Sequence, residues 1–279
     1  MSISEKYIAE LYNKIQEERP IIHCITNAVT VNDCANILIA CGGAPIMSDE
    51  IEDVKEITSI CSALNINIGT LNHLTIPSML EAGKISNKLN HPILLDPVGA
   101  GASTYRTNTA KKLIEEIKFS VIRGNISEIK ALAGNNSATK GVDANEDDAI
   151  TLDNIDQIVS FAKEFAKKTN SIIIITGAKD IIANNEIAYV VSNGHPMMSK
   201  ISGTGCMLSA MTSAYIAANQ DDMIGGCLSA ICAMGICGQR AFDKLQKNEG
   251  NLTYKNKIFD EIFNLTSDIL EKEAQYEIK

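Results

Sequence analysis

Three aliphatic runs, 93–95 (Ile-Leu-Leu), 119–122 (Phe-Ser-Val-Ile) and 171–175 (Ser-Ile-Ile-Ile-Ile), are each followed at once by polar residues or glycine. Short apolar runs without alternation predict strands covered on both faces, as in a parallel sheet. Weaker runs at 44–47, 63–68 and 187–191 predict further strands. Between them, apolar positions recur at helical spacing over 2–18, 75–89, 107–118, 155–168 and 254–272. Residues 30–40 form an apolar stretch that predicts a buried helix. The span 205–242, dense in Ala, Met, Cys, Gly and Ile, predicts two closely packed helices broken near 219–222. The polar stretch 135–153 predicts the longest irregular segment. Strands alternating with helices across short connections predict an α/β sandwich with a mainly parallel sheet.

Composition narrows this picture. Of 279 residues, 45% are hydrophobic and 21% charged, enough apolar surface for a globular domain. No compositional shift marks a boundary, so a single domain over 1–279 is the expectation. There is no Trp, so Ile, Leu, Val, Ala and Met must build the core. A formal charge of −9 gives no general attraction for nucleic acid or an anionic membrane, and neither is an expected partner. The charged N-terminal segment does not read as a signal peptide. No uninterrupted apolar run reaches about 18 residues, so no membrane span is expected. The eight cysteines form no CxxC pair and no zinc-finger spacing, which fits reduced thiols in a cytoplasmic protein.

In open parallel sheets ligands bind beyond the carboxyl ends of the strands, and the polar motifs fall there. Asp96-Pro97-Val98-Gly99 follows the run at 93–95 and reads either as a turn with a helix cap or as a carboxylate reaching phosphate or metal-bound water. Arg123-Gly124-Asn125-Ile126-Ser127-Glu128 follows 119–122. Arg123 suits phosphate through its planar fork, and Asn125 with Glu128 reads both as a capping box and as a Mg²⁺ neighbour. Thr176-Gly177 follows 171–175 and reads equally as a simple turn or a nucleotide contact.

Ser202-Gly203-Thr204-Gly205-Cys206 opens the next helix. Two glycines admit a ligand close to the backbone, and successive N–H groups at a helix start accept an anion. Cys206 alone among the cysteines follows a Gly-x-Gly turn, where the helix N-terminus is expected to favour thiolate. Ahead of the helix at 30–40, Thr26 and Asn27 read as caps or as the lining of a pocket, while His23 reads as structural. Four histidines without paired spacing argue against zinc. GxxxxGK[ST], a strand-linked GxGxxG and GxSxG do not occur, which disfavours P-loop, dinucleotide-binding and esterase chemistry.

The ordered set ITNAVT (25–30), GGAPIM (42–47), DPVGAGAS (96–103), RGNISEI (123–129) and SGTGCMLSA (202–210) resembles the hydroxyethylthiazole kinases of the ribokinase-like superfamily, over residues 7–263. The resemblance implies a ribokinase-like three-layer sandwich, with helices on both faces of the sheet. It implies ATP-dependent phosphorylation of the hydroxyl of 4-methyl-5-(2-hydroxyethyl)thiazole in thiamine salvage, with Mg²⁺, by a homotrimer with active sites between subunits. By motif, Asn27, Val29, Met47 and Gly203 would contact the thiazole, and Arg123 and Thr176 the ATP. Asp96 and Glu128 would belong to the Mg²⁺–phosphate region. Cys206 would be catalytic, in the place where most of the superfamily carries an Asp base. Ala28 and Ser103 depart from the residues more usual in these motifs. Rival readings are a superfamily kinase for a pyrimidine, pyridoxal or a sugar, a transferase or hydrolase with Cys206 as covalent nucleophile, and a non-catalytic nucleotide-binding module.

Overall fold

The computed structural model describes residues 7–134 and 154–279; the predicted irregular segment 135–153 and the first residues of the predicted helix 2–18 lie outside the described residues. Among the described residues nine strands form one sheet: β1 (Ile21–Ile25), β2 (Ala44–Met47), β3 (Ala63–Asn67), β4 (Ile93–Asp96), β5 (Val121–Asn125), β6 (Ile172–Thr176), β7 (Asp180–Ala183), β8 (Ala188–Val191) and β9 (Tyr276–Ile278). Their order is β2-β1-β3-β4-β5-β6-β7-β8-β9. Pairing is parallel from β2 to β6 and antiparallel from β6 to β9.

Two helical layers enclose the sheet. On one side lie α1 (Tyr7–Glu18), α2 (Val31–Ala40), α8 (Thr204–Ala218), α9 (Met223–Asp243), α10 (Asn251–Phe263) and α11 (Ser267–Glu273). On the other lie α3 (Val54–Ile60), α4 (Thr75–Leu89), α5 (Thr104–Glu116), α6 (Ile126–Ala133) and α7 (Ile155–Thr169). This explains the unbroken isoleucine run of β6. Ile174 enters the first core and Ile173 and Ile175 the second, all fully buried. Each such side chain contributes about 1.5–3 kcal/mol relative to exposure. Among the described residues one helix, α9, is long and apolar enough to cross a membrane; 78% of that stretch is buried, against α1, α8 and α10. Its apolar character is accounted for by its place in the core.

The boundaries have local causes. Ser103 Oγ accepts from Arg106 N at 3.2 Å and starts α5 earlier than the predicted 107. The break between α8 and α9 falls where predicted, because Asp222 Oδ1 accepts from Gly225 N and opens a new helix. The predicted tail helix 254–272 is instead two helices, α10 and α11, with β9 beyond them. Thr266 Oγ1 accepts from Ile269 N and restarts the helix after Phe263. The predicted strand at 119–122 begins at Val121 and continues through Asn125, because its pairing with β6 runs on to Asn125 opposite Thr176.

Strand order fixes where ligands bind. From β1 the chain crosses to β2 on one side, and from β3 to β4 on the other, so the direction of winding reverses between β1 and β3. The crevice beyond such a reversal is the favoured binding place in open α/β sheets. The register aligns its rim, with Asn67 opposite Asp96 and Asn125 opposite Thr176.

Candidate active site

Asp96 ends β4 and is fully buried. Its Oδ2 accepts from Asn67 Nδ2 (2.9 Å) and Ser209 Oγ (2.8 Å), and Arg123 Nη1 lies 3.6 Å away. Its Oδ1 has no hydrogen-bond partner among the described residues. Burial pushes the Asp96 pKa up, against the opposing pull of Arg123, Ser209 and Asn67. Arg123 extends from β5, only 9% exposed, and donates from Nη2 to Thr176 Oγ1 at 2.6 Å.

Glu128 completes the acidic rim through the capping box predicted for its motif. Asn125 Oδ1 accepts from Glu128 N (2.9 Å), and Glu128 Oε2 accepts from Asn125 N (2.8 Å). Gly99 N donates to Oε1 at 2.8 Å, which ties the Asp96 turn to α6. Burial, followed by the neighbouring Asp96 charge, raises the Glu128 pKa to about 7 despite these two N–H donors. The local charge is therefore under-neutralised: two buried carboxylates share one guanidinium.

The turn at 202–206 has a strict steric requirement. Gly203 adopts φ +90°, and a Cβ there would lie 2.4 Å from Thr30 Cγ2. At Gly205 a Cβ would lie 2.6 Å from Arg123 Nη1. The two glycines thus let the start of α8 close over Thr30 and Arg123. Cys206 follows, partly buried, with its Sγ 3.2 Å from the donor Asn27 Nδ2. The expectation of a thiolate fails here. Burial, then the Asp96 charge, raises the Cys206 pKa and outweighs the pull of Thr30, Asn67 and Arg123 in the opposite direction. A carboxylate within the same site changes what a helix start alone would do.

Asp96, Arg123, Glu128, Gly203 and Cys206 surround one cavity of about 450 Å³. Arg123 and Thr176 also line a neighbouring cavity of about 490 Å³, with Asp180, His195, Met198 and Met234. Asn27 joins through its bond to Cys206, while its Oδ1 accepts from Val29 N, Thr30 N and Thr30 Oγ1. Val29 and Met47 line neither cavity. Val29 is 68% exposed, and Met47 is partly buried against the core. His23 is structural, its ring nitrogens engaged by Thr58 Oγ1 (2.9 Å) and Ser48 O (2.8 Å).

Sequence reasoning gave no role to Asn67, Ser209 or Asp180, although the last two fall within or beside its motifs. Asn67 had a visible signal, a polar residue at the carboxyl end of a strand. Asp180 accepts from Gly177 N (3.0 Å), and burial raises its pKa to about 6. Among the described residues no three His, Cys, Asp or Glu side chains gather as a metal cluster. The pair Asp96 and Glu128, with the orphaned Asp96 Oδ1, nevertheless suits a hard cation that takes its other oxygens from phosphate and water.

A mainly parallel sheet between two helical layers, with an anion-accepting helix start beside an arginine and two carboxylates at the strand ends, defines a ribokinase-like small-molecule kinase. A pyridoxal kinase from Staphylococcus aureus shares the fold at TM-score 0.61 and 14% identity, over 93% of this chain and 97% of that one. A hydroxyethylthiazole kinase structure from Pyrococcus horikoshii OT3 superposes at TM-score 0.86 with 30% identity, covering 98% of this chain and 99% of the other. The hydroxyethylthiazole kinase from Clostridium acetobutylicum is 60% identical over 270 residues, 97% of this chain and 99% of that protein. The hydroxyethylthiazole kinase family model matches residues 12–268, and the chain belongs to that family.

Proposed function

We propose that the chain transfers the γ-phosphoryl group of ATP to the hydroxyl of 4-methyl-5-(2-hydroxyethyl)thiazole, giving the thiazole phosphate and ADP for thiamine salvage. The observation that carries this is Arg123. It bridges Thr176 on the side of the larger cavity and Asp96 on the side of Cys206, over the Gly205 turn. A phosphate chain laid across Arg123 would have its nucleoside in the cavity lined by Thr176 and its γ-phosphate beside Cys206. Arg123 and the N–H groups opening α8 would then stabilise the charge of the transferring group.

Cys206 is the residue at the attacking hydroxyl. Its raised pKa keeps it neutral at rest. That favours a thiol that orients the alcohol over a preformed thiolate base, and a loose phosphoryl transition state asks little of a base. Asp96 and Glu128 would hold Mg²⁺, which supplies charge neutralisation between phosphate oxygens when bound. Among the described residues no histidine lines the cavity with Cys206, which weighs against a covalent thiol mechanism.

The assembly is a homotrimer with sites between subunits. Its support here is the exposure of Val29, at 68%, beside Asn27, together with exposed Val31 and Ile39 on α2. In such an assembly Val29, Met47, Asn27 and Gly203 bound the thiazole. Eight unpaired cysteines support a cytoplasmic location. The functional test is ATP consumption with hydroxyethylthiazole, hydroxymethylpyrimidine, pyridoxal and ribose in parallel. Turnover with the thiazole alone is the expected result; preferential turnover of any other alcohol overturns the assignment.

A further inference from the structure

Beyond the residues already assigned, one buried side chain lies between the two chemically active ends of the site. Asn67 ends β3, on one side of the crevice where the sheet reverses its winding, and is 1% exposed. Its Nδ2 donates to Asp96 Oδ2 (2.9 Å), and its Oδ1 accepts from Gly69 N (2.9 Å) and Asn27 Nδ2 (3.0 Å). Asn27, just after β1 on the other side of the crevice, uses the same Nδ2 to donate to Cys206 Sγ.

The direction of this chain is fixed at both links. Three donors surround Asn27 Oδ1, so only its amide nitrogen can turn toward Asn67 and Cys206. Gly69 N–H faces Asn67 Oδ1, so only the Asn67 nitrogen can turn toward Asp96. Neither amide can flip without opposing donor to donor, and each already meets a partner at both ends.

We propose that Asn67 is a positioning residue for phosphoryl transfer, an amide that holds the Asp96 carboxylate and, through Asn27, the Cys206 thiol in one register. This rests on the kinase reading above. The consequence is geometric. The group that orients the alcohol and the carboxylate on the phosphate side cannot shift independently, and small misplacements of reacting groups are costly. Ser209 is a second donor to Asp96 Oδ2, but its hydroxyl lies on α8 and makes no bond to Asn27. Asn67 is therefore the side-chain link between the two ends, beside the backbone connection that α8 makes from Cys206 to Ser209.

The test combines turnover with a readout that needs none. Asn67→Leu keeps the branched shape and heavy-atom count of the side chain but removes all three polar contacts. It is expected to lower kcat at least about tenfold while the KM for ATP stays within about threefold. In a Cys206→Ala background the same substitution is expected to cost less than about threefold, because the partner it positions is gone. Independently, native alkylation by iodoacetamide reports on Cys206, since the other seven cysteines are buried. Without Asn67 the unlinked thiol is expected to react at least about threefold more slowly at pH 8. Should Asn67→Leu fail to fold, Asn67→Ser offers the same comparison, since one hydroxyl cannot span both partners. Equal losses of kcat in the two backgrounds, or an alkylation rate equal to wild type, overturn the proposal. A wild-type protein that does not phosphorylate the thiazole alcohol contradicts the kinase reading, and alkylation then still decides for or against the Asn67 linkage.

Discussion

Replacing Gly205 by Ala adds a single methyl group at the centre of the site. Gly205 is not among the residues of positive φ, so the backbone accepts alanine without strain. The damage is steric: the new Cβ would lie 2.6 Å from Arg123 Nη1, 2.9 Å from Nη2 and 3.2 Å from Cζ. An arginine tip on a surface would swing away at little cost. This one is held by Thr176 Oγ1 at 2.6 Å and faces Asp96 at 3.6 Å, with its side chain 10% exposed. Moving it breaks a charge-assisted hydrogen bond, a loss of about 1.5–3 kcal/mol. Expressed in the transition state, that is about 10- to 150-fold in kcat/KM for ATP. Steady-state kinetics with ATP varied at saturating thiazole alcohol measures it. Gly250→Ala is the control, since nothing lies within 4 Å of the new methyl and φ there is −107°. A Gly205→Ala enzyme within about twofold of wild type would refute the claim that this glycine is there to seat Arg123.

Other substitutions probe the remaining roles. Cys206→Ser should lower turnover much more than ATP affinity, and Cys206→Asp should retain substantial activity; loss of all activity in the Asp variant, with a trapped covalent adduct in wild type, would favour a covalent nucleophile. Glu128, raised from 4.5 to about 7, should make the cation-free protein less stable as pH rises. Protonation of the folded state lends stability that is complete below about pH 4.5 and lost through pH 7, on the order of 3 kcal/mol. The Tm should accordingly fall between pH 5 and pH 8, Mg²⁺ should restore it mainly at the alkaline end, and Glu128→Gln should flatten the dependence. An unchanged Mg²⁺ requirement for activity in that variant would remove Glu128 from the metal region. Val29→Asp should dissociate the assembly, read as a drop in mass by light scattering; an unchanged mass would take Val29 out of the interface.

Several elements were readable in the chain because burial on both sides leaves a plain mark. The runs behind β4 and β6 are such cases, and so is the Gly-x-Gly turn opening α8. β1 was not readable, because His23 interrupts its short apolar run, and only the fold reveals that Thr58 and Ser48 satisfy the ring. β7 and β9 are short; β7 pairs with its neighbours in sequence, β6 and β8, while β9 pairs with the distant β8. Within the site, motif order singled out Asp96, Arg123, Glu128 and Cys206, which the fold gathers around one cavity. The thiolate that the helix start favours at Cys206 is opposed for a physical reason. A helix start acts locally and is visible in sequence, whereas burial, and after it the charge of Asp96 110 positions earlier, acts in the opposite sense and shows only in the fold. Asn67 escaped notice because an amide carries no chemistry of its own until its partners are known.

The central claim is transfer of phosphate to the thiazole alcohol, and the most direct measurement is mass spectrometry of the products formed from ATP and hydroxyethylthiazole. The account predicts the phosphate monoester of the thiazole alcohol and ADP in equal amounts. ADP appearing with inorganic phosphate, and the alcohol recovered unmodified, would contradict it.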